Sequence, residues 1–146
     1  MLINDLSTSG ALPTLEKMFL FAGQRQRIIT NNIANIDTPN YRGTDVDPRA
    51  FQKMLGEAID ERRERTGGAF GELNLRQTRQ IKSNRSQLQL NPQTPTPGVL
   101  AHDRNSRDLE HLMQQLVENS STFRLASDLM RKNQNQLKLA IAQRVM

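Results

Sequence analysis

The chain has 146 residues, a formal net charge of +5, only 4% aromatic residues, no tryptophan and no cysteine. This length fits one domain or one elongated subunit, and the scarcity of aromatic area favours helices that pack through aliphatic side chains. The lack of cysteine excludes disulfides, thiolate nucleophiles and thiolate metal sites, whereas the positive charge alone is compatible with nucleic acid, anionic lipid or an acidic partner.

Residues 1–13 are polar and predict a flexible N-terminus. They contain neither a basic start nor an apolar core, so we expect no Sec-type signal peptide. The sequence has no run of 18 apolar residues, so we expect no membrane-spanning helix either.

Residues 14–36 predict an amphipathic N-terminal core helix with Thr14 as its N-cap. Apolar residues recur in steps of three and four, as in a heptad seam, and only Gln26 interrupts the series. The seam residues are Leu12, Leu15, Phe19, Ala22, Ile29, Ile33 and Ile36. More apolar surface lies off the seam, which indicates more than one neighbour for this helix, and comes from Met18, Leu20, Phe21 and Ile28.

The segment 31–41, NNIANIDTPNY, predicts a helix that ends and turns into extended chain. Asparagine amides compete for backbone hydrogen bonds, and Asn35 is a candidate C-cap in the left-handed region. Pro39 cannot continue a helix and directs Thr38 toward the extended region. Asn40 follows and tolerates a positive φ better than most non-glycine residues.

Residues 37–107 hold the signature turn, a short helix and an irregular middle, since five of the six prolines and six of the eight glycines lie in this range. The Asp-Pro pair at 47–48 predicts a helix start with proline in the first position, and apolar spacing from Phe51 continues this helix to about Arg65. The glycines at 67, 68 and 71 are expected to end it. The apolar residues that follow fit either a short strand or extended chain; they are Leu73, Leu75 and Ile81.

Residues 108–146 predict a long C-terminal core helix, capped by Asn105 or Ser106. Its three-four seam comprises Leu109, Leu112, Leu116, Asn119, Phe123, Ala126, Met130, Asn133, Leu137 and Ala140. A buried asparagine in a seam fixes register or partner number. The alternative is that Asn119 and Asn133 lie at the wet edge of a wider stripe.

These elements predict a mainly α fold. The N- and C-terminal amphipathic helices pair as a coiled-coil hairpin, and the irregular Pro/Gly-rich middle contains one short helix with room for a little β-structure. Two helices alone cannot bury stripes this wide, and we expect the middle to be too polar to cover them. The remaining apolar surface is therefore expected to need other copies or other subunits.

The sequence shows no pattern of catalytic, cofactor-binding or metal-binding residues, so we expect no enzyme, no cofactor and no metal site. His102 and His111 share no helix face, and Ser120 has no activating base nearby in the sequence. One basic series fits phosphate binding but lacks aromatic residues for base stacking and a reading helix; it comprises Arg76, Arg79, Lys82 and Arg85. The alternative is a solvated or subunit-facing basic stretch.

The segment at 31–42 closely resembles the signature of the bacterial flagellar basal-body rod proteins, an asparagine-rich helix end followed by Thr-Pro-x-Tyr and a basic residue. The corresponding residues here are Asn31, Asn32, Asn35, Thr38, Pro39, Tyr41 and Arg42, with Asn40 in place of the common glycine. The short length and the Asp45–Val46–Asp47 run leading into Phe51 favour a proximal rod subunit. The neighbouring rod protein C is the closest alternative.

The resemblance implies a structural subunit that the flagellar type III apparatus exports from the cytoplasm. Such a subunit assembles in the periplasmic rod and helps to transmit motor torque. The implied partners are other rod proteins, the rod-to-ring adaptor subunit, the membrane ring, the export apparatus and further copies of the chain, but not nucleic acid.

The expected assembly-interface residues are Leu15, Phe19, Ala22, Ile29, Ile33, Leu109, Leu112, Leu116, Phe123, Met130 and Leu137. Two remoter alternatives belong to other functional classes. One is a basic coiled-coil nucleic-acid-binding protein, and the other is a peripheral membrane protein that uses the face at residues 19–21.

Overall fold

The computed structural model describes residues 9–68, 70–84, 87–94 and 109–143, and this part of the chain is mainly helical. Its elements are helix α1 (Leu12–Ala34), helix α2 (Pro48–Thr66), strands β1 (Ile81–Ser83) and β2 (Leu88–Leu90), and helix α3 (Leu109–Gln143). The predicted fold class is therefore confirmed. Most of the predicted flexible N-terminus and the predicted caps Asn105 and Ser106 lie outside the described residues.

Helix α1 begins two residues earlier than its predicted cap. Its N-cap is Ala11, which makes no side-chain cap hydrogen bond, and a proline lies in the first turn. Proline is favoured there because the first helical N–H groups have no intrahelical acceptor. The prediction of Thr14 as N-cap was therefore wrong.

At its other end, α1 is capped by Asn35, which has a φ of −105° and is not left-handed. The Ile36 amide donates to the Ile33 carbonyl (3.3 Å), so the chain tightens into a further turn instead of reversing at Asn35. The left-handed residue is Asn40, with a φ of 60°. The prediction of Asn35 as the C-cap is confirmed, whereas its predicted left-handed conformation was wrong. The positive φ that Asn40 was expected to tolerate is observed.

Helix α2 has both of its predicted end signals. Asp47 is the N-cap and accepts a hydrogen bond from the Arg49 amide (2.9 Å), with Pro48 as the first helical residue. At the other end, Gly67 has a φ of 70° and its amide donates to the Arg63 carbonyl (2.9 Å). A glycine adopts this left-handed C-cap without steric cost.

Strands β1 and β2 form an antiparallel pair, with Ile81 opposite Leu90 and Ser83 opposite Leu88. Of the three residues for which strand and extended chain were open, only Ile81 lies in a strand; Leu73 and Leu75 are buried without strand pairing. Asp45 and Gln93 form an isolated antiparallel bridge that joins the segment before α2 to the segment after β2.

The middle of the chain has an apolar core of its own, built against one face of α1. Its buried residues are Phe21, Val46, Phe51, Met54, Leu55, Ala58, Leu73, Leu75, Ile81 and Leu88. Phe21 stacks on Phe51 with ring centroids 4.0 Å apart. Met18, Leu20 and Ile28 pack against the same cluster. The expectation that the middle is too polar to cover α1 was therefore wrong, because its few apolar residues are concentrated on one side.

The opposite face of α1 packs on α3. Phe19 stacks on Phe123, and the Ala22 carbonyl contacts Asn119, so the two helices run antiparallel. From this register, the N-terminal end of α1 lies near residue 130 of α3. The last dozen residues of α3 therefore extend roughly 20 Å beyond α1, at about 1.5 Å per residue.

Candidate assembly interface and signature turn

Asn32 is the centre of the turn that follows α1. It is buried, and its amide nitrogen donates to the Thr44 carbonyl (2.7 Å). Its amide oxygen accepts from the Tyr41 hydroxyl (2.9 Å) and from the Thr44 amide (3.1 Å). A Cβ on Gly43 would lie 3.5 Å from the Asn32 side chain. One side chain thus ties the returning chain to the last turns of α1.

The outer layer of this turn is exposed and held by local hydrogen bonds. The Asn31 amide nitrogen donates to the Tyr41 hydroxyl (3.1 Å), and the Asn35 amide nitrogen donates to the Asn31 carbonyl (2.8 Å). The Thr38 amide donates to the Asn35 carbonyl (3.0 Å), and the Tyr41 amide donates to the Thr38 carbonyl (3.2 Å). Pro39 and Arg42 are both exposed. The seven signature residues therefore surround one compact turn, but only Asn32 is buried.

An ion pair that the sequence did not reveal fixes the chain just after this turn. The Arg25 guanidinium donates to both carboxylate oxygens of Asp45, at 3.0 Å from Nε and 2.7 Å from Nη2. The Arg25 side chain is only 7% exposed and that of Asp45 is 18% exposed. Such a planar, two-point pair specifies geometry as well as adding energy. It orients the segment that enters α2 relative to α1.

Two further α1 side chains attach the β-hairpin. The amide nitrogen of Gln24 donates to the Leu88 carbonyl, and its oxygen accepts from the Leu90 amide (3.1 Å). The Lys17 ammonium is buried and donates to the Asn84 carbonyl (2.7 Å). Burial lowers the pKa of Lys17 below its ordinary value of 10.5, and the nearby Glu16 carboxylate opposes this shift.

Two of the three polar interruptions of the predicted seams, Gln26 and Asn119, face each other. The Asn119 amide nitrogen donates to the Gln26 side-chain oxygen (2.7 Å) and to the Ala22 carbonyl (2.8 Å). Gln26 also donates to the Ser120 hydroxyl (3.2 Å). Asn119 is 4% exposed, so of the two readings left open by the sequence the buried one holds for this residue. Asn133 is half-buried.

Helices α1 and α3 approach each other closely at the stacked pair of Phe19 and Phe123. A Cβ on Gly23 would lie 3.3 Å from the Phe123 ring, so glycine admits that ring against the α1 backbone. The ring centroids of the two phenylalanines are 4.5 Å apart. Beside them lies an open groove of about 570 Å³, lined by Phe19, Leu20, Gly23, Gln24, Gln26, Arg27 and Phe123.

The residues predicted for the assembly interface divide into three groups. Leu15, Ala22 and Ile29 are buried within the chain itself. A second group is half-buried and consists of Phe19, Ile33, Leu112, Leu116, Phe123, Met130 and Leu137. Leu109 is exposed. The structure therefore buries three of the five predicted α1 members and none of the six predicted α3 members.

Helix α3 also carries exposed apolar residues that were not in the predicted seam. They are Met113, Val117, Leu125, Leu129, Leu139 and Ile141, with exposed fractions between 41% and 65%. Large exposed apolar side chains on one helix are typical of a surface that binds other protein. Their spacing does not follow the three-four series of the main seam, so that series did not predict them.

The histidines that were weighed as catalytic or metal-binding residues are not brought together in the described part of the chain. His111 is exposed and lies beside the Gln115 side chain, and His102 is outside the described residues. Among the residues that the structure describes, no group of three or more histidine, cysteine or acidic side chains is arranged to hold a metal ion. In the same part of the chain, no helix is long and apolar enough to cross a membrane.

The comparisons with known proteins address the signature turn first. The family described as "Flagella basal body rod protein" matches residues 22–42, which include Asn32 and Tyr41. The flagellar basal body rod protein FlgB of Salmonella typhimurium is 31% identical over 103 residues, covering 70% of this chain and 71% of that protein. The chain belongs to the FlgB family of flagellar basal body rod proteins.

Two further relatives agree with this assignment. FlgB of Yersinia enterocolitica is 28% identical over 115 residues, covering 78% of this chain and 80% of that protein. FlgB of Bacillus subtilis is 47% identical over 49 residues, a match that covers 34% of this chain and 36% of the relative. Membership of the FlgB family makes the chain a structural subunit of the proximal rod of the flagellar basal body, associated with other components of that body.

Proposed function

We propose that this subunit polymerises through its two terminal helices and helps to transmit motor torque along the rod. The observation that supports this most strongly is the unequal helical pair. Helix α3 runs beyond α1, and Leu125, Leu129 and Leu139 are 41–63% exposed on it. A fully buried leucine gains about 1.5–3 kcal/mol, so covering these residues with neighbouring helices would favour assembly.

In this proposal the α1–α3 pair forms the inner, torque-bearing layer, and the middle unit, which comprises the described residues between these two helices (35–68, 70–84 and 87–94), lies outside it. The Asn32 turn and the Arg25–Asp45 ion pair hold the middle unit against α1, so that both parts rotate together. The partners are other rod proteins, the rod-to-ring adaptor subunit, the membrane ring and further copies of the chain. The subunit is exported from the cytoplasm by the flagellar type III apparatus and works in the periplasmic part of the basal body.

The test begins with an in-frame deletion of the gene, complemented by variants and scored by swimming and by electron microscopy of isolated basal bodies. The deletion strain should be non-motile, with rings that lack a rod. Phe123→Asp should fail to restore rods, because its ring stacks on Phe19 between the helices. Gln134→Asp, an exposed position on the same helix with the same change in charge, should restore them.

Leu125→Asp separates loss of assembly from loss of folding. This side chain is 56% exposed, so the substitution should leave the subunit folded while placing a charge on the proposed interface. We expect normal far-ultraviolet circular dichroism and no rods. Intact rods with Leu125→Asp and Phe123→Asp, or a motile deletion strain, would show that the terminal helices do not carry assembly.

A further inference from the structure

Helix α2 presents a stripe of carboxylates that form no ion pair with the residues that the structure describes. Glu57, Glu61 and Glu64 are spaced four and three residues apart, so they lie on one face, and all three are exposed. None of them forms an ion pair with any residue in the described part of the chain, whereas the adjacent Asp60 pairs with Arg63 (3.5 Å).

The position of this stripe opposes the field of its own helix. The first turn of α2 contains no acidic residue, and two of the three glutamates lie in its C-terminal third. The helix macrodipole favours acidic side chains at the N-terminus and disfavours them at the C-terminus. The two basic residues in the last turn act elsewhere: Arg63 binds Asp60, and Arg65 donates to the Glu72 carbonyl (3.1 Å). The helix macrodipole therefore does not account for the stripe.

A matching set of cations is found in the segment that enters the β-hairpin. Arg76, Arg79 and Lys82 are exposed and form no ion pair within the described residues. No acidic residue occurs from 73 to 102. Lys82 lies opposite Gln89 in the hairpin, so its strand partner offers no counter-charge. Within the described part of the chain, three glutamates on α2 and three cations before and in the hairpin are therefore exposed without an ion pair.

We propose that the Glu57–Glu61–Glu64 stripe of one copy binds the Arg76–Arg79–Lys82 strip of a second copy. Because the two patches differ, the contact is heterologous, and each copy keeps one patch free for the next. Contacts of this kind build open helical assemblies when the rotation between copies does not close a ring. The inference rests on the proposed function in taking self-assembly as its setting, and it assigns the middle unit an electrostatic side contact in addition to helix packing.

The test uses purified full-length protein and sedimentation velocity at about 0.05 M and about 0.5 M salt, since exposed charges are screened over ~10 Å at 0.1 M. The wild type should associate at low salt and dissociate at high salt. Replacing the three glutamates by lysine, or the three cations by glutamate, should weaken self-association on the order of tenfold or more. A mixture of these two variants, and the variant with both sets reversed, should associate again. Reversal of Arg42 and Arg49, which are exposed and lie outside both patches and both terminal helices, is the control and should behave as wild type.

A cross-link confirms the contact in trans. The chain has no cysteine, so one tagged copy with Glu61→Cys and one untagged copy with Arg79→Cys can be joined only through the introduced thiols. A bismaleimide should give the mixed dimer, whereas Gln52→Cys, exposed on another face of α2, should not.

Three outcomes overturn the inference: reversed variants that sediment as wild type, reversed mixtures that stay monomeric, or a cationic strip that binds DNA or anionic vesicles without pairing copies. If the deletion strain lacks rods while any of these holds, the inference fails alone. If the deletion strain builds normal rods, the proposed function fails whatever the sedimentation shows.

Discussion

Replacing Asn32 by alanine should destabilise the subunit more than any other single change in the signature turn. The buried amide makes three hydrogen bonds, to the Tyr41 hydroxyl and to both backbone groups of Thr44. Alanine removes all three and leaves the Thr44 amide and carbonyl without these partners. The effect should appear as a lower free energy of unfolding and as a weaker attachment of the middle unit to α1.

The size of the effect follows from the number of bonds. Each hydrogen bond contributes about 0.5–1.5 kcal/mol net, which gives a loss of roughly 1.5–4.5 kcal/mol. Alanine recovers about 0.5 kcal/mol because its helix propensity exceeds that of asparagine. The free energy of unfolding should therefore fall by about 1–4 kcal/mol, a large part of the ~5–15 kcal/mol typical of a domain. With a urea m-value of ~1–3 kcal/mol/M, the midpoint should drop on the order of 1 M.

Urea unfolding can be followed at the site itself. Tyr41 is the only tyrosine and the chain has no tryptophan, so intrinsic fluorescence reports on the residue that donates to Asn32. Asn31→Ala is the matched control: it is exposed, and water can replace its bond to Tyr41, so its loss should stay below about 1 kcal/mol. Equal losses for the two variants would refute the reasoning from burial.

Three further changes test the other polar contacts of α1. Asp45→Ala leaves the buried Arg25 guanidinium without its partner and should lower the free energy of unfolding by about 2–4 kcal/mol in urea. Lys17→Met should remove a pH dependence: with the pKa lowered by burial, the folded state holds fewer protons than the unfolded state, so wild-type stability should rise as pH rises through the folded pKa toward 10.5. Asn119→Ala removes the bonds to Ala22 and Gln26 and should cost about 1–2 kcal/mol.

Each of these has its own control. Adding Arg25→Met to Asp45→Ala should recover most of the lost stability, and no recovery would mean that the ion pair is not the cause. An unchanged pH slope in Lys17→Met would assign the slope to another group. Asn133→Ala, at the half-buried seam asparagine, should cost less than Asn119→Ala; the reverse order would contradict the buried contact with Gln26.

The apolar spacing of the sequence was enough to predict the two terminal helices, because heptad repeats depend only on neighbours along one helix. The predicted pairing of these helices as a hairpin is observed. The Asp47–Pro48 start and the Gly67 end of α2 were readable for the same reason. The predictions for the two ends of α1 were wrong where two neighbouring residues favoured different positions for the helix start or for the left-handed residue. A proline in the first turn accompanies a helix start at Leu12, before Thr14, and a further turn at Ile36 moves the left-handed residue from Asn35 to Asn40.

The polar contacts of the site were not predictable from spacing. Arg25 and Asp45 are 20 residues apart, and Gln24 is 64 residues from Leu88, so nothing in the local pattern pairs them. Asn32 looked like one of three poor helix residues, and only its burial distinguishes it from Asn31 and Asn35. The sequence likewise did not predict that the middle of the chain packs on the off-seam face of α1. That contact depends on the three-dimensional arrangement of the few apolar residues of the middle.

The two faces of α1 differ in contact order. Its hydrogen bonds to the middle unit from Tyr41 onward span 9 to 67 residues of chain, whereas its bonds to α3 span 93 to 97. Loop closure costs more for longer spans, and contacts between distant residues tend to form later. We therefore expect α1 and the middle to fold first as a unit, and α3 to dock last and undock first. A subunit joining the rod would then arrive with its middle already built and its longest helix still free to exchange partners.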